Sequence, residues 1–147
     1  MKRYFFIVCF LLTLTELKAQ EVGLRVNNTT GSNVGIGATF FSENSQRLHT
    51  SVSFNKGFGI EALWDYMFNP FSENNATEAL NFYVGTGLFT LISDPTEFGI
   101  TAEIGAEYRF NEPPLVLGVD WRPQFEIIQE GAFRANSFGI NIRWCFN

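Results

Sequence analysis

Beyond residue 19 the chain has no continuous apolar run of the ~20 residues that a membrane-spanning helix needs. Yet 46% of its 147 residues are hydrophobic and 16% aromatic, with 17 phenylalanines, while mean hydropathy is only +0.02. Apolar residues spread in this way suit strands that bury alternate side chains, not helices. Histidine is almost absent, with His49 alone, and there are two cysteines. The chain carries no metal-ligand spacing, phosphate-binding loop or cysteine pair, so no linear motif points to metal, nucleotide or redox chemistry. Basic charge is also scarce, at 10 Lys and Arg against 15 Asp and Glu. An acidic chain of this kind has no electrostatic attraction for nucleic acid.

The one apolar run lies at the start. Met1, Lys2 and Arg3 form a basic segment, Tyr4 to Leu14 an apolar one, and Ala19 offers a small residue before Gln20. The pattern predicts a secretory signal peptide over 1–19 and a mature domain over 20–147. A lipoprotein signal would need a cysteine just past the cleavage point, whereas Cys9 lies within the apolar segment. Cleavage would remove Cys9, leaving Cys145 without a disulfide partner, and would take the formal charge from −5 to −7. Cys145 then reads as a small packed residue.

The mature region alternates. In FGITAEIGAEYRF (98–110), Phe98, Ile100, Ala102, Ile104, Ala106, Tyr108 and Phe110 form one series. Gly99, Thr101, Glu103, Gly105, Glu107 and Arg109 form the other. Successive strand side chains point to opposite faces, so this is one strand with an oily and a wet face. It exceeds the ~5–6 residues usual in soluble sheets and suits the ~9–11 that cross a bilayer at a tilt. The same alternation predicts strands at 21–27, 33–41, 47–55, 58–68, 81–92, 115–128 and from 138 to the end, separated by short polar turns. In the fifth strand both faces are fairly apolar, which leaves its orientation open. Pro123 falls inside the seventh and implies a bulge or a break near Arg122.

Eight strands without edges make a closed antiparallel up-and-down barrel. An even count sets both termini on one side, the periplasmic one in a secreted bacterial chain. The longest connection, 69–80, would then also be periplasmic, against the usual habit of long outer loops. Two barrels share this pattern: a lipocalin-like soluble one with an oily lumen, and a membrane one with an oily outside. The polar series favours the second. If it faces inward, it lines the lumen with Arg25, Arg47, His49, Glu61, Asp65, Glu103, Glu107, Arg109, Asp120, Arg122, Glu126 and Arg143. Acids and arginines nearly balance, as a sealed lumen requires. Most strand glycines share that series and make room in a narrow interior. Trp64, Trp121 and Trp144 lie on the oily series and read as an aromatic girdle.

Through GFGIEALWDYMF (57–68), NFYVGTGLF (81–89), FGITAEIGAEYRF (98–110), LVLGVDWRP (115–123) and the ending FGINIRWCFN (138–147), the chain resembles the small outer-membrane β-barrel proteins of Gram-negative bacteria, of porin-like or OmpX-like type. The resemblance spans the mature region. It implies an outer-membrane location, lipid contacts, a monomer, and dependence on periplasmic chaperones and the barrel insertion machinery. Trp144 and Phe146 look like the terminal signal which that machinery reads, although Asn147 follows. The resemblance implies no particular activity.

Chemically, His49 beside Ser51 invites comparison with small barrels that deacylate lipid A, but a satisfied lumen residue is the simpler reading. Glu61 with Asp65, and Glu103 with Glu107, are ~13 Å apart along their strands, too far for paired acid–base work. Arginine partners fit them better. The expectation is a structural or surface-interaction barrel that is not an enzyme and has no cofactor or metal. A narrow solute channel is the first alternative, followed by a lipid-modifying enzyme and a soluble binder.

Overall fold

The computed structural model describes residues 20–29, 32–41, 45–55, 57–71, 79–128 and 131–146. The predicted signal segment, most of the 69–80 connection and Asn147 lie outside the described residues. Among the described residues every regular element is a strand: β1 (Glu21–Thr29), β2 (Ser32–Phe41), β3 (Gln46–Asn55), β4 (Phe58–Phe68), β5 (Leu80–Ile92), β6 (Glu97–Arg109), β7 (Leu115–Trp121), β8 (Gln124–Glu126), β9 (Phe133–Arg134) and β10 (Phe138–Cys145).

These ten segments form eight staves. β7 and β8 both pair with β6, in one unbroken register either side of Arg122 and Pro123. Pro123 has no N–H to give, yet its carbonyl still accepts from the Ala102 N–H at 3.0 Å. The ladder therefore loses a single donor. β9 pairs with β8 and β10 with β7, so these two form the last stave. Between Arg134 and Phe138 it carries one residue more than its partner does between Gln124 and Trp121. That surplus is a β-bulge.

All pairings are antiparallel, and β1 closes the sheet by pairing with both β2 and β10. The trace can be followed through paired residues, from Leu24 to Ile142, Leu117, Tyr108 and Leu80, then on by extending the registers of the regular stretches of the β4–β5, β3–β4, β2–β3 and β1–β2 ladders. It returns to β1 displaced by about ten residues. Such a stagger goes with strands tilted roughly 35–45° and an eight-stranded interior just wide enough for side chains.

Polarity is inverted relative to a water-soluble domain. Among the described residues, the buried hydrophobic side chains are Leu63, Tyr83, Phe89 and Val116, while 17 buried residues are polar or charged. On the outside stand Leu24, Val26, Ile36, Ile60, Val84, Leu88, Ile104, Val119, Ile140 and Ile142, each about half exposed. A contiguous apolar skin far exceeds the few hundred Å² that soluble monomers expose.

The undecided fifth strand resolves with Tyr83, Gly85, Gly87 and Phe89 inward. Tyr83 turns in because its ring lies under the Arg47 guanidinium, 4.0 Å away, a favourable contact for a desolvated cation. Gly105 makes the room, since a Cβ there would fall 2.3 Å from the ring.

Aromatic residues crowd both ends of the skin. At the end holding the termini, Phe68 stacks with Phe82, Phe71 lies against Phe82, and Tyr108 meets Phe110 edge-on. Phe54 meets Phe58 at the other end, where Phe133 and Phe125 pair across β9 and β8. Of the predicted girdle, Trp144 belongs to the first belt. Trp121 lies at the β7 break, stacked on Phe138, with its indole N–H donating to the Ala135 carbonyl. Trp64 departs from the prediction. It sits midway along β4, paired with Leu48 and Thr86, so Phe and Tyr carry the belts more than Trp does.

Candidate functional site

The charged lumen is the feature with chemical content. Strand parity aims one residue in two inward, and eight staves bring residues far apart in sequence into one polar column. All twelve charged or histidine positions expected there point inward.

Two guanidiniums form its centre. Arg47, fully buried, binds Asp65 at 2.9 Å and Glu107 at 2.7 Å. Arg122, also fully buried, holds Glu103 at 2.7 Å, Glu61 at 2.9 Å and Asp120 at 3.5 Å, and lies 3.0 Å from His49 Nδ1. Around them, Arg25 donates to Asp120 at 2.5 Å, and Asn141 donates to the same carboxylate at 2.9 Å. Gln124 and Ser51 donate to Glu61 at 3.0 and 3.1 Å. Shared carboxylates make this a network, in which each charge is desolvated but partnered.

The network reaches both mouths. At the end of the termini, Arg109 binds Glu21 at 2.6 Å and Glu107 at 3.3 Å, while Arg143 binds Glu21 at 3.2 Å and also Glu107. Cys145 lies here, half-buried, its thiol 3.6 Å from Glu21 and its sulfur accepting from Arg109 at 3.4 Å. At the other mouth, Arg134 binds Glu97 at 2.6 Å and Glu126 at 3.5 Å. Glu21, Glu97 and Arg134 were missed in the sequence. Glu21 shares the inward parity of Gly23 and Arg25, a signal that was available.

The interior holds little free space. A cavity of 40 Å³, bordered by Arg25, Ser51, Glu61, Phe89, Gln124 and Arg134, lies toward the Arg134 mouth. It has room for a few waters. Below it Arg47, Arg122, Leu63 and Tyr83, all fully buried, fill the section. His49 is 3% exposed and faces this lumen, not the outer skin where a lipid would lie.

The class these features define is the closed eight-stranded antiparallel barrel with an apolar exterior and a polar, packed interior. Among solved structures, the N-terminal β-barrel domain of Pseudomonas aeruginosa OprF has the same architecture, with a TM-score of 0.59 at 17% identity, covering 87% of this chain and 98% of that one. At that identity the likeness concerns the fold. No family model and no curated protein matches the chain.

Proposed function

We propose that the protein is an integral outer-membrane β-barrel, monomeric and without enzymatic activity, that acts structurally or through its outer loops. The inverted polarity carries this reading: apolar side chains cover the outside and a partnered charge network fills the inside. Hydrocarbon stabilises such a skin and penalises any open strand edge, and closure leaves no edge. The partners that follow are outer-membrane lipids around the skin and, during assembly, periplasmic chaperones and the insertion machinery. The likeness to an outer-membrane barrel domain supports the location.

The narrow-channel alternative is disfavoured by the cross-section at Arg47 and Arg122. Membrane fractions run on SDS gels with and without boiling test the main reading. It requires a band in the outer-membrane fraction that migrates differently once boiled. Soluble periplasmic protein with no shift would refute it. Planar bilayers should show no steady conductance from the folded protein; discrete, reproducible channel openings would establish the alternative.

A further inference from the structure

The lumen charges do not cancel. Among the described residues eight carboxylates lie on the inner wall or its rims against six guanidiniums, the whole arginine complement. Uncompensated negative charge in so enclosed a space is costly. The deficit also has a location. Asp65 gives one oxygen to Arg47, and its Oδ1 has no hydrogen-bond partner. Glu103 gives Oε1 to Arg122, and its Oε2 has none. Both residues are at least 98% buried. Beside them His49 Nδ1 lies 3.9 Å from Glu103 Oε2. One ligand atom from each of the three residues falls within 4.8 Å of the other two.

We propose that His49, Asp65 and Glu103 form a binding site for one divalent first-row transition cation, of the Zn²⁺ type, inside the barrel. One imidazole nitrogen and two carboxylate oxygens suit such an ion better than Mg²⁺ or Ca²⁺, which favour all-oxygen shells. With ligand bonds near 2.0–2.2 Å, a tetrahedral nitrogen–oxygen pair lies about 3.3–3.5 Å apart, so the 3.9 Å between His49 Nδ1 and Glu103 Oε2 must close by a few tenths of an ångström on loading.

Gly85 completes the cradle. It stands on β5 between its two register partners, Asp65 on β4 and Glu103 on β6. A Cβ at this position would lie 2.0 Å from Asp65 Oδ1, so the absent side chain is what lets that oxygen reach across β5. Loading asks for that small closure of the ligands and for one exchange of partners. Arg122 must release His49 Nδ1, and it keeps Glu61, Glu103 and Asp120 as partners. Two positive charges then stand against the two excess carboxylates, and the lumen reaches neutrality.

The test uses the barrel refolded in detergent with Co²⁺ or Zn²⁺, passed over a chelating column, and checked for folding by its gel shift. The expected result is one retained ion per chain. Co²⁺ should give visible absorption bands, and Zn²⁺ X-ray absorption should show one imidazole with oxygen neighbours. H49A and D65N, if folded, should retain at most a tenth as much metal, whereas D94N, altered in the exposed 93–96 turn outside the lumen, should retain it fully. Should neither H49A nor D65N fold, the imidazole signal in the wild-type protein decides alone. Folded wild type without metal would overturn the proposal, as would metal without an imidazole neighbour or undiminished retention in both folded variants.

Discussion

Replacing Arg122 with Met tests whether the lumen network holds the barrel together. The substitution keeps the length and most of the apolar stem but removes the charge and all guanidinium donors. Glu103 at 2.7 Å, Glu61 at 2.9 Å and Asp120 at 3.5 Å then share a wholly enclosed site without the cation. Deleting one partner of a buried ion pair costs about 3–5 kcal/mol, because the remaining charge is neither solvated nor paired. At about 1.4 kcal/mol per tenfold, the unfolding equilibrium should shift by roughly 150- to 4,000-fold. Arg134 provides the internal control. Its side chain is 24% exposed at the mouth, where water supports whatever the substitution leaves unpaired. Arg134→Met should therefore cost less than about 1 kcal/mol. The assay is equilibrium urea unfolding in lipid vesicles, followed by tryptophan fluorescence, with equal slopes required before midpoints are compared. Adding Glu103→Gln to Arg122→Met should recover part of the loss, by about 0.5–3 kcal/mol of coupling. An Arg122→Met barrel within 1 kcal/mol of wild type, or no less stable than Arg134→Met, would refute the idea that paired charge stabilises this interior.

Ile104→Arg, in the middle of β6 on the outer skin, should destabilise the barrel in vesicles by about 2–4 kcal/mol, against about 0–1 kcal/mol for Phe110→Arg at the rim. Equal effects by urea titration would contradict a bilayer around this skin. Gly87→Ala should cost about 1–3 kcal/mol and reduce the heat-modifiable fraction on gels, because its Cβ would fall 2.0 Å from the Ala62 carbonyl oxygen, a backbone atom that cannot swing aside. In a variant with Trp121 and Trp144 changed to Phe, the remaining Trp64 should be quenched more by bromines deep in the acyl chains than by shallow ones. The reverse order would show that β4 sits at a different depth.

Parity explains how much of this structure could be read from the chain, and where reading stopped. Turns of few residues preserve an in–out rhythm that an apolar skin around a polar interior enforces, so β4 was legible to the residue and β6 to within one at each end. Two interruptions show the limit. At Pro123 the break retains phase, and Arg122, Gln124 and Glu126 all point inward as the alternation implied. Between Arg134 and Phe138 the bulge adds one residue and reverses it. Arg134 therefore joins the network although its even number opposes the odd inward set of β10. Nothing local in 133–138 announces that slip. Contacts across the lumen were more distant still. Arg25 and Asp120 are 95 positions apart, and His49, Asp65 and Glu103 come from three strands. Their meeting depends on closure and on the stagger of the whole sheet, a property of no single strand. Alternation could tell which residues share the interior; the stagger decides which of them share a carboxylate, and with it where the interior's excess negative charge collects.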